Sequence, residues 1–184
     1  MGDEDRKLRD NKIILIGYRC TGKTTVGTRL AERLILPFID TDELVEKAAG
    51  KTIREMIEER GWEFFRQQER AAIRNLTARG KSVIATGGGA VMDKGNAAVL
   101  KKEGILVWLV ADEKTIEDRM LADPATAGQR PRFSPVDLAV EIRNTLAVRA
   151  PVYRRLANLA IDTTALDAEA CVDRIVAFLQ DKYS

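Results

Sequence analysis

Apolar residues fall into short unbroken runs along the chain, separated by stretches in which they recur every three or four positions. Lys12-Ile13-Ile14-Leu15-Ile16-Gly17 is the first run. It is β-branched and apolar without alternation, the pattern of a strand covered on both faces. Residues 37–40, 82–86 and 105–110 repeat it, and 158–162 form a weaker fifth run. Between the runs, Val26, Leu30, Ala31 and Leu34 share one helical face. A long polar-rich helix is predicted to begin near Trp62 and to end with Ile73, Leu76 and Thr77. Further helices fit 93–103, 113–122, 135–156 and 167–182. Strands that alternate with helices predict βαβ units and a twisted parallel sheet with helices on both faces, an α/β fold.

One segment breaks the period. Residues 123–135 hold three prolines and a glycine with no apolar repeat. A stretch this long is either a functional lid or a plain surface loop. No internal repeat or low-complexity linker appears, so residues 12–184 are expected to form a single domain behind a charged, disordered lead over 1–11.

Composition narrows the chemistry. The 184 residues are 45% apolar, enough for a sizeable core, and 30 Lys+Arg against 28 Asp+Glu leave a net charge of +2. That balance argues against a nucleic-acid partner. There is no histidine, which excludes Ser-His-Asp triads and His-ligated zinc. The two cysteines, Cys20 and Cys171, make neither a Cys₄ zinc site nor a disulfide framework, and fit a reducing cytoplasm. No apolar run approaches the ~20 residues of a membrane span, and the N-terminus lacks the apolar stretch of a signal peptide. A cytoplasmic location without a membrane partner follows as the expectation.

Gly17-Tyr18-Arg19-Cys20-Thr21-Gly22-Lys23-Thr24 matches GxxxxGK[ST] at every fixed position, between a predicted strand and a predicted helix. Backbone N–H groups of such a loop point at phosphates, and the helix start adds its positive end. Lys23 reaches the β- and γ-phosphates, and the Thr24 hydroxyl suits Mg²⁺. Cys20 stands at a helix N-terminus beside Lys23, surroundings that favour thiol reactivity, unless it packs inward. The motif leaves the phosphate acceptor open.

Four further groups bear on the acceptor. Asp40 and Asp42 close the second predicted strand, and in extended chain they face the same way, at the rim where open α/β sheets bind ligands. One suits a Mg²⁺-bound water and the other an acceptor proton; alternatively, either Asp caps the next helix, where Thr41 and Asp42 before Glu43-Leu44-Val45 would also serve. Arg66 and Glu69 lie three apart on one helical face, as a surface ion pair or as an arginine fork held for a carboxylate. Gly87-Gly88-Gly89 follows the third strand and allows a ligand to lie against bare backbone. Arg130 lies in the segment 123–135, and Arg149-Ala150-Pro151-Val152-Tyr153 in the next helix. A lid arginine suits phosphoryl transfer.

The ordered series from Gly17–Thr25 through Asp40-Thr41-Asp42, Phe65-Arg66 with Glu69, Gly87-Gly88-Gly89, Gln129-Arg130-Pro131, Arg149–Tyr153 and Ile161-Asp162-Thr163 resembles the shikimate kinases, small nucleoside monophosphate kinase-like P-loop proteins. The resemblance runs from about Lys12 to Lys182. It implies a three-layer P-loop fold with a five-stranded parallel sheet of order 2-3-1-4-5 flanked by helices, a shikimate-binding helical region near 41–70 and a lid over 123–135. It implies transfer of the γ-phosphoryl of ATP to the 3-hydroxyl of shikimate, on the route to chorismate and the aromatic amino acids, by a monomer.

By the resemblance, Cys20, Thr21, Gly22, Lys23, Thr24 and Thr25 hold ATP, Thr24 binds Mg²⁺, and Asp40 does so through water. Asp42 is the candidate base. Arg66 and Arg149 clamp the shikimate carboxylate, Glu69 supports the clamp, and Gly87, Gly88 and Gly89 line it. Arg130 closes over the phosphates, Arg119 packs on adenine, and Arg19 faces the acceptor. Two places depart from the family: Arg132-Phe133 stand where many members have Leu-Leu, and Thr163-Thr164-Ala165 lack the proline near adenine. A gluconate kinase-like enzyme is the rival within the superfamily. A nucleotide-binding switch is the rival of another class, against which no Asn-Lys-x-Asp stretch occurs.

Overall fold

The computed structural model describes residues 11–122 and 138–183. Five strands, β1 (Lys12–Ile16), β2 (Phe38–Asp40), β3 (Val83–Ala85), β4 (Gly104–Val110) and β5 (Leu159–Asp162), form one parallel sheet in the order β2-β3-β1-β4-β5. Seven helices are described: α1 (Lys23–Leu34), α2 (Thr41–Ala49), α3 (Ile53–Asn75), α4 (Lys94–Glu103), α5 (Glu113–Ala122), α6 (Leu138–Leu156) and α7 (Ala168–Tyr183).

The unbroken apolar runs have their physical explanation in the layers. All five β1 residues are buried. Ile13 and Leu15 pack on one face, with Val26 and Leu30 of α1 and Val172 and Ile175 of α7. Ile14 and Ile16 pack on the other, with Ile73 of α3, Leu100 of α4 and Tyr153 of α6. In β4 the same division sends Ile105, Val107 and Leu109 one way and Leu106 and Trp108 the other. A strand buried on both sides needs no polar face, so alternation is lost. Sheet order and strand positions agree with expectation, each strand to within one residue or two.

Two helices differ from the sequence reading. Residues 41–49 form α2, which the apolar period alone does not mark, though it falls within the helical region near 41–70 that the resemblance implies. The long helix begins at Ile53, earlier than Trp62, with Thr52 and Glu55 closing a reciprocal capping box. It breaks at Gly61, which takes φ 79° and ψ 171°; the predicted start near Trp62 is the restart after this break. The first half buries Ile53, Met56 and Ile57 in a separate small cluster with Val45 and Phe65. Its 3.6-residue signal is short and ends in glycine, which hides it in sequence. The helix stops at Asn75, and Leu76–Ala78 form one 3₁₀ turn. The predicted lid over 123–135, with Arg130, Arg132 and Phe133, and nearly all of the predicted lead lie outside the described residues.

Because all strands are parallel, their carboxyl ends share one edge. The order reverses at β1, between β3 and β4, and at such a switch point the loops diverge and leave a crevice. The phosphate loop leaves β1 at this point.

Candidate active site

The loop after β1 turns through Gly17 (φ 144°), Cys20 (φ 59°) and Gly22 (φ 89°) before α1 begins at Lys23. Gly17 admits no side chain: a Cβ there would lie 2.5 Å from the Leu109 carbonyl oxygen. Lys23 Nζ donates to the Tyr18 carbonyl oxygen at 2.6 Å, and Thr21 Oγ1 donates to the same oxygen at 2.8 Å. The lysine thus curls back over the loop that would hold phosphate.

Asp40 ends β2 and caps α2. Its Oδ1 accepts the Asp42 N–H at 2.9 Å, and its Oδ2 accepts the Thr24 hydroxyl at 3.2 Å. Of the two aspartates offered as a helix cap, Asp40 is the one that caps. One expectation is corrected: Asp42 stands in the first turn of α2 and does not share an extended strand with Asp40. A carboxylate that captures the N–H two residues on starts a helix there instead of prolonging the strand. Both carboxylates still stand at the binding edge. Burial, and then the charge of Asp42, raise the Asp40 pKa from its ordinary value. A cation beside Thr24 and Asp40 would relieve that penalty, and two hard oxygens suit Mg²⁺. Among the described residues no group of three or more His, Cys, Asp or Glu side chains forms a metal cage.

The glycine loop joins the acceptor groups. Gly87 N–H donates to the hydroxyl of the fully buried Thr41 at 3.0 Å, tying this loop to α2. A methyl on Gly87 would meet Asp42 Oδ1 at 2.5 Å and Glu69 Oε1 at 3.1 Å; one on Gly89 would meet Arg66 Nη2 at 2.6 Å. The glycines therefore make room for the protein's own side chains, a reason the sequence reading lacked. A methyl on Gly88 would lie 3.4 Å from Arg19 N and 3.7 Å from Arg149 Nη1. Arg66 Nη1 donates to Glu69 Oε2 at 2.7 Å, with Glu69 almost wholly buried. Arg66 also stacks near Trp62 and Phe65.

Tyr153, quoted from sequence but given no role there, donates its hydroxyl to the Gly88 carbonyl oxygen and packs beside Trp108. Burial pushes its pKa up to about 12, with nearby Arg149 opposing. Glu141, which is buried and accepts from Arg19 Nη2, carries no signal in the sequence.

On the far side of the phosphate loop is a cavity of about 380 Å³ lined by Cys20, Thr21, Gly22, Thr25, Arg119 and Asp167, among others. Arg119 donates to the carbonyl oxygens of Thr163 at 2.7 Å and Cys20 at 3.3 Å. The structure thus gathers Asp42, Arg66, Glu69, Arg149 and Gly87–Gly89 on one side of Lys23 and Thr24, and Arg119 on the other.

A family model for shikimate kinase matches residues 19–180. A shikimate kinase of Syntrophus aciditrophicus is 48% identical over 181 residues, covering 94% of this chain and 93% of that protein. One of Symbiobacterium thermophilum is 38% identical, covering 92% and 97%. The solved shikimate kinase of Acinetobacter baumannii, in complex with shikimate, superposes with a TM-score of 0.87 at 32% identity, covering 94% of each chain. A family match over most of the chain, with relatives 48% and 38% identical across more than nine-tenths of it, shows that the chain belongs to the shikimate kinase family.

Proposed function

We propose that this site transfers the γ-phosphoryl of ATP to the 3-hydroxyl of shikimate, releasing ADP. The observation that carries the reading is the convergence of Asp42, Arg66 and Arg149 on the Gly87–Gly89 loop, beside a phosphate loop built for nucleotide. Lys23 leaves the Tyr18 carbonyl and takes the transferring phosphate. The backbone from Cys20 to Thr25 cradles the remaining phosphates, and adenine enters the cavity beside Arg119. Thr24 and Asp40 would hold Mg²⁺, which would neutralise charge on the nucleotide phosphates.

Arg66, fixed by Glu69, and Arg149 form a fork pair suited to the shikimate carboxylate. That anchoring sets the acceptor hydroxyl before Asp42, which accepts its proton as the oxygen attacks. Phosphoryl transfer needs chiefly positioning and charge stabilisation, and both are supplied by side chains on helices packed against the sheet. The free cysteines suit a reducing cytoplasm. Among the described residues no helix is long and apolar enough to cross a membrane.

The test is ADP release with shikimate, with gluconate and with no acceptor. Release that depends on shikimate alone supports the reading. Equal turnover on gluconate, or release without acceptor, rejects it.

A further inference from the structure

Three arginines border the glycine loop, and two of them carry a buried carboxylate. Arg66 has Glu69. Arg19, in the variable part of the phosphate loop, has Glu141 in the first turn of α6, a side chain only 6% exposed. Arg149 follows two turns later on the same helix, and no carboxylate among the described residues forms a salt bridge with it. The Tyr18 ring meets both of the latter: its centroid is 5.5 Å from Arg19 Cζ and 5.7 Å from Arg149 Cζ.

Packing alone does not call for an acid at position 141. Its neighbours Leu138, Ile142 and Leu146 join an apolar cluster with Tyr18, Ile116 and Met120. A buried ion pair is often no more stabilising than apolar residues of similar size, whereas removal of one partner strands the other charge. Stability therefore leaves the pair unexplained. Location explains it: Arg19 adjoins the carbonyl of Tyr18 that holds Lys23, while Glu141 belongs to the helix that carries Arg149.

We infer that Glu141 is a positioning residue of the acceptor site. Its carboxylate holds Arg19 on Tyr18, locks the phosphate loop to α6, and so fixes the separation between Lys23 and the Arg149 clamp. It also neutralises Arg19, so that Arg149, which has no carboxylate partner among the described residues, presents its positive charge to an anionic acceptor. With Nη2 engaged, Arg19 keeps Nε as a buried donor without a partner among the described residues, available to an acceptor oxygen. The inference rests on the acceptor site assigned above.

The experiment compares E141Q, R19A, E141Q/R19A and R149A by KM for shikimate, KM for ATP and kcat, with thermal melts. E141Q is expected to raise the shikimate KM roughly tenfold, a typical coupling between neighbours, with the ATP KM nearly unchanged. In the R19A background it should add nothing. KM does not depend on the amount of folded enzyme, so a lower melting temperature leaves the comparison intact. Wild-type shikimate KM in E141Q, or an E141Q effect that persists without Arg19, overturns the inference while an impaired R149A upholds the acceptor site. An R149A enzyme with wild-type shikimate KM overturns the acceptor site and the inference with it.

Discussion

Arg66 lies across the backbone of Gly89, where a methyl group would stand 2.6 Å from its Nη2 and 3.0 Å from its Nη1. The contact is with the far end of a flexible side chain, so a methyl there displaces the guanidinium more readily than the backbone. Gly89→Ala is thus expected to cost little stability and much function. The shikimate KM should rise at least tenfold, since a misplaced fork loses a charge-assisted bond of about 1.5–3 kcal/mol. Melting temperature should move by only a few degrees. A variant that binds shikimate as the parent does would show that Arg66 does not hold the acceptor.

Asp40 supplies a test with a definite sign. Its pKa is raised in the folded protein by burial and then by Asp42. The unfolded chain therefore loses this proton at lower pH than the folded one, and stability falls as pH rises through the folded pKa. Asp40→Asn keeps a helix cap and removes the charge. The ligand-free variant should melt above the parent near neutral pH, and the advantage should vanish below about pH 4, where the unfolded carboxyl keeps its proton. The same variant should need more Mg²⁺ for half-maximal activity. A melting curve below that of the parent at neutral pH would contradict the assignment of the penalty to Asp40.

Ile13 to Ile16 announced a doubly covered strand because burial on both faces erases alternation. Lys23 and Thr24 announced nucleotide because nothing structural requires them after Gly22. The Asp40-Thr41-Asp42 stretch gave the right edge of the sheet and the wrong geometry, since a single cap bond decides whether the chain extends or coils there. Gly87 and Gly89 were read as bare backbone for a ligand; the space they leave is filled by Asp42 and Arg66, partners distant in sequence. Glu141 was invisible because a glutamate in a helix of mixed charge reads as a solvent-facing residue, and only the tertiary contact with Arg19 makes it otherwise.

The two thiols should differ sharply. Cys20 is partly exposed in the phosphate loop, while Cys171 is 1% exposed and burial raises its pKa. A thiolate is the reacting species, so alkylation should favour Cys20. Cys20 also lines the cavity assigned to nucleotide. Mass-resolved labelling with iodoacetamide should modify Cys20 first, and ADP with Mg²⁺ should slow it. Equal labelling with and without nucleotide would move the nucleotide away from this cavity.

Tyr153 joins the glycine loop to the Arg149 arm of the clamp, since its hydroxyl reaches the Gly88 carbonyl and it also interacts with Arg149. Tyr153→Phe keeps the ring in its contact with Trp108 and removes only the oxygen. One hydrogen bond to a partly buried carbonyl is worth about 1 kcal/mol, so the melting temperature should fall by a few degrees. The functional effect should be selective. Loss of the hydroxyl frees the Gly88 peptide to rotate and leaves Arg149 without one of its orienting contacts, and both changes fall on the acceptor side of Lys23. The shikimate KM is therefore expected to rise several-fold while the ATP KM stays within twofold, about 0.4 kcal/mol. Because its pKa of about 12 keeps Tyr153 protonated throughout the working range, the pH profile of kcat should be the same in the variant and the parent. A shifted pH profile would instead give the tyrosine a part in proton transfer, and equal changes in both KM values would reduce it to general support of the core.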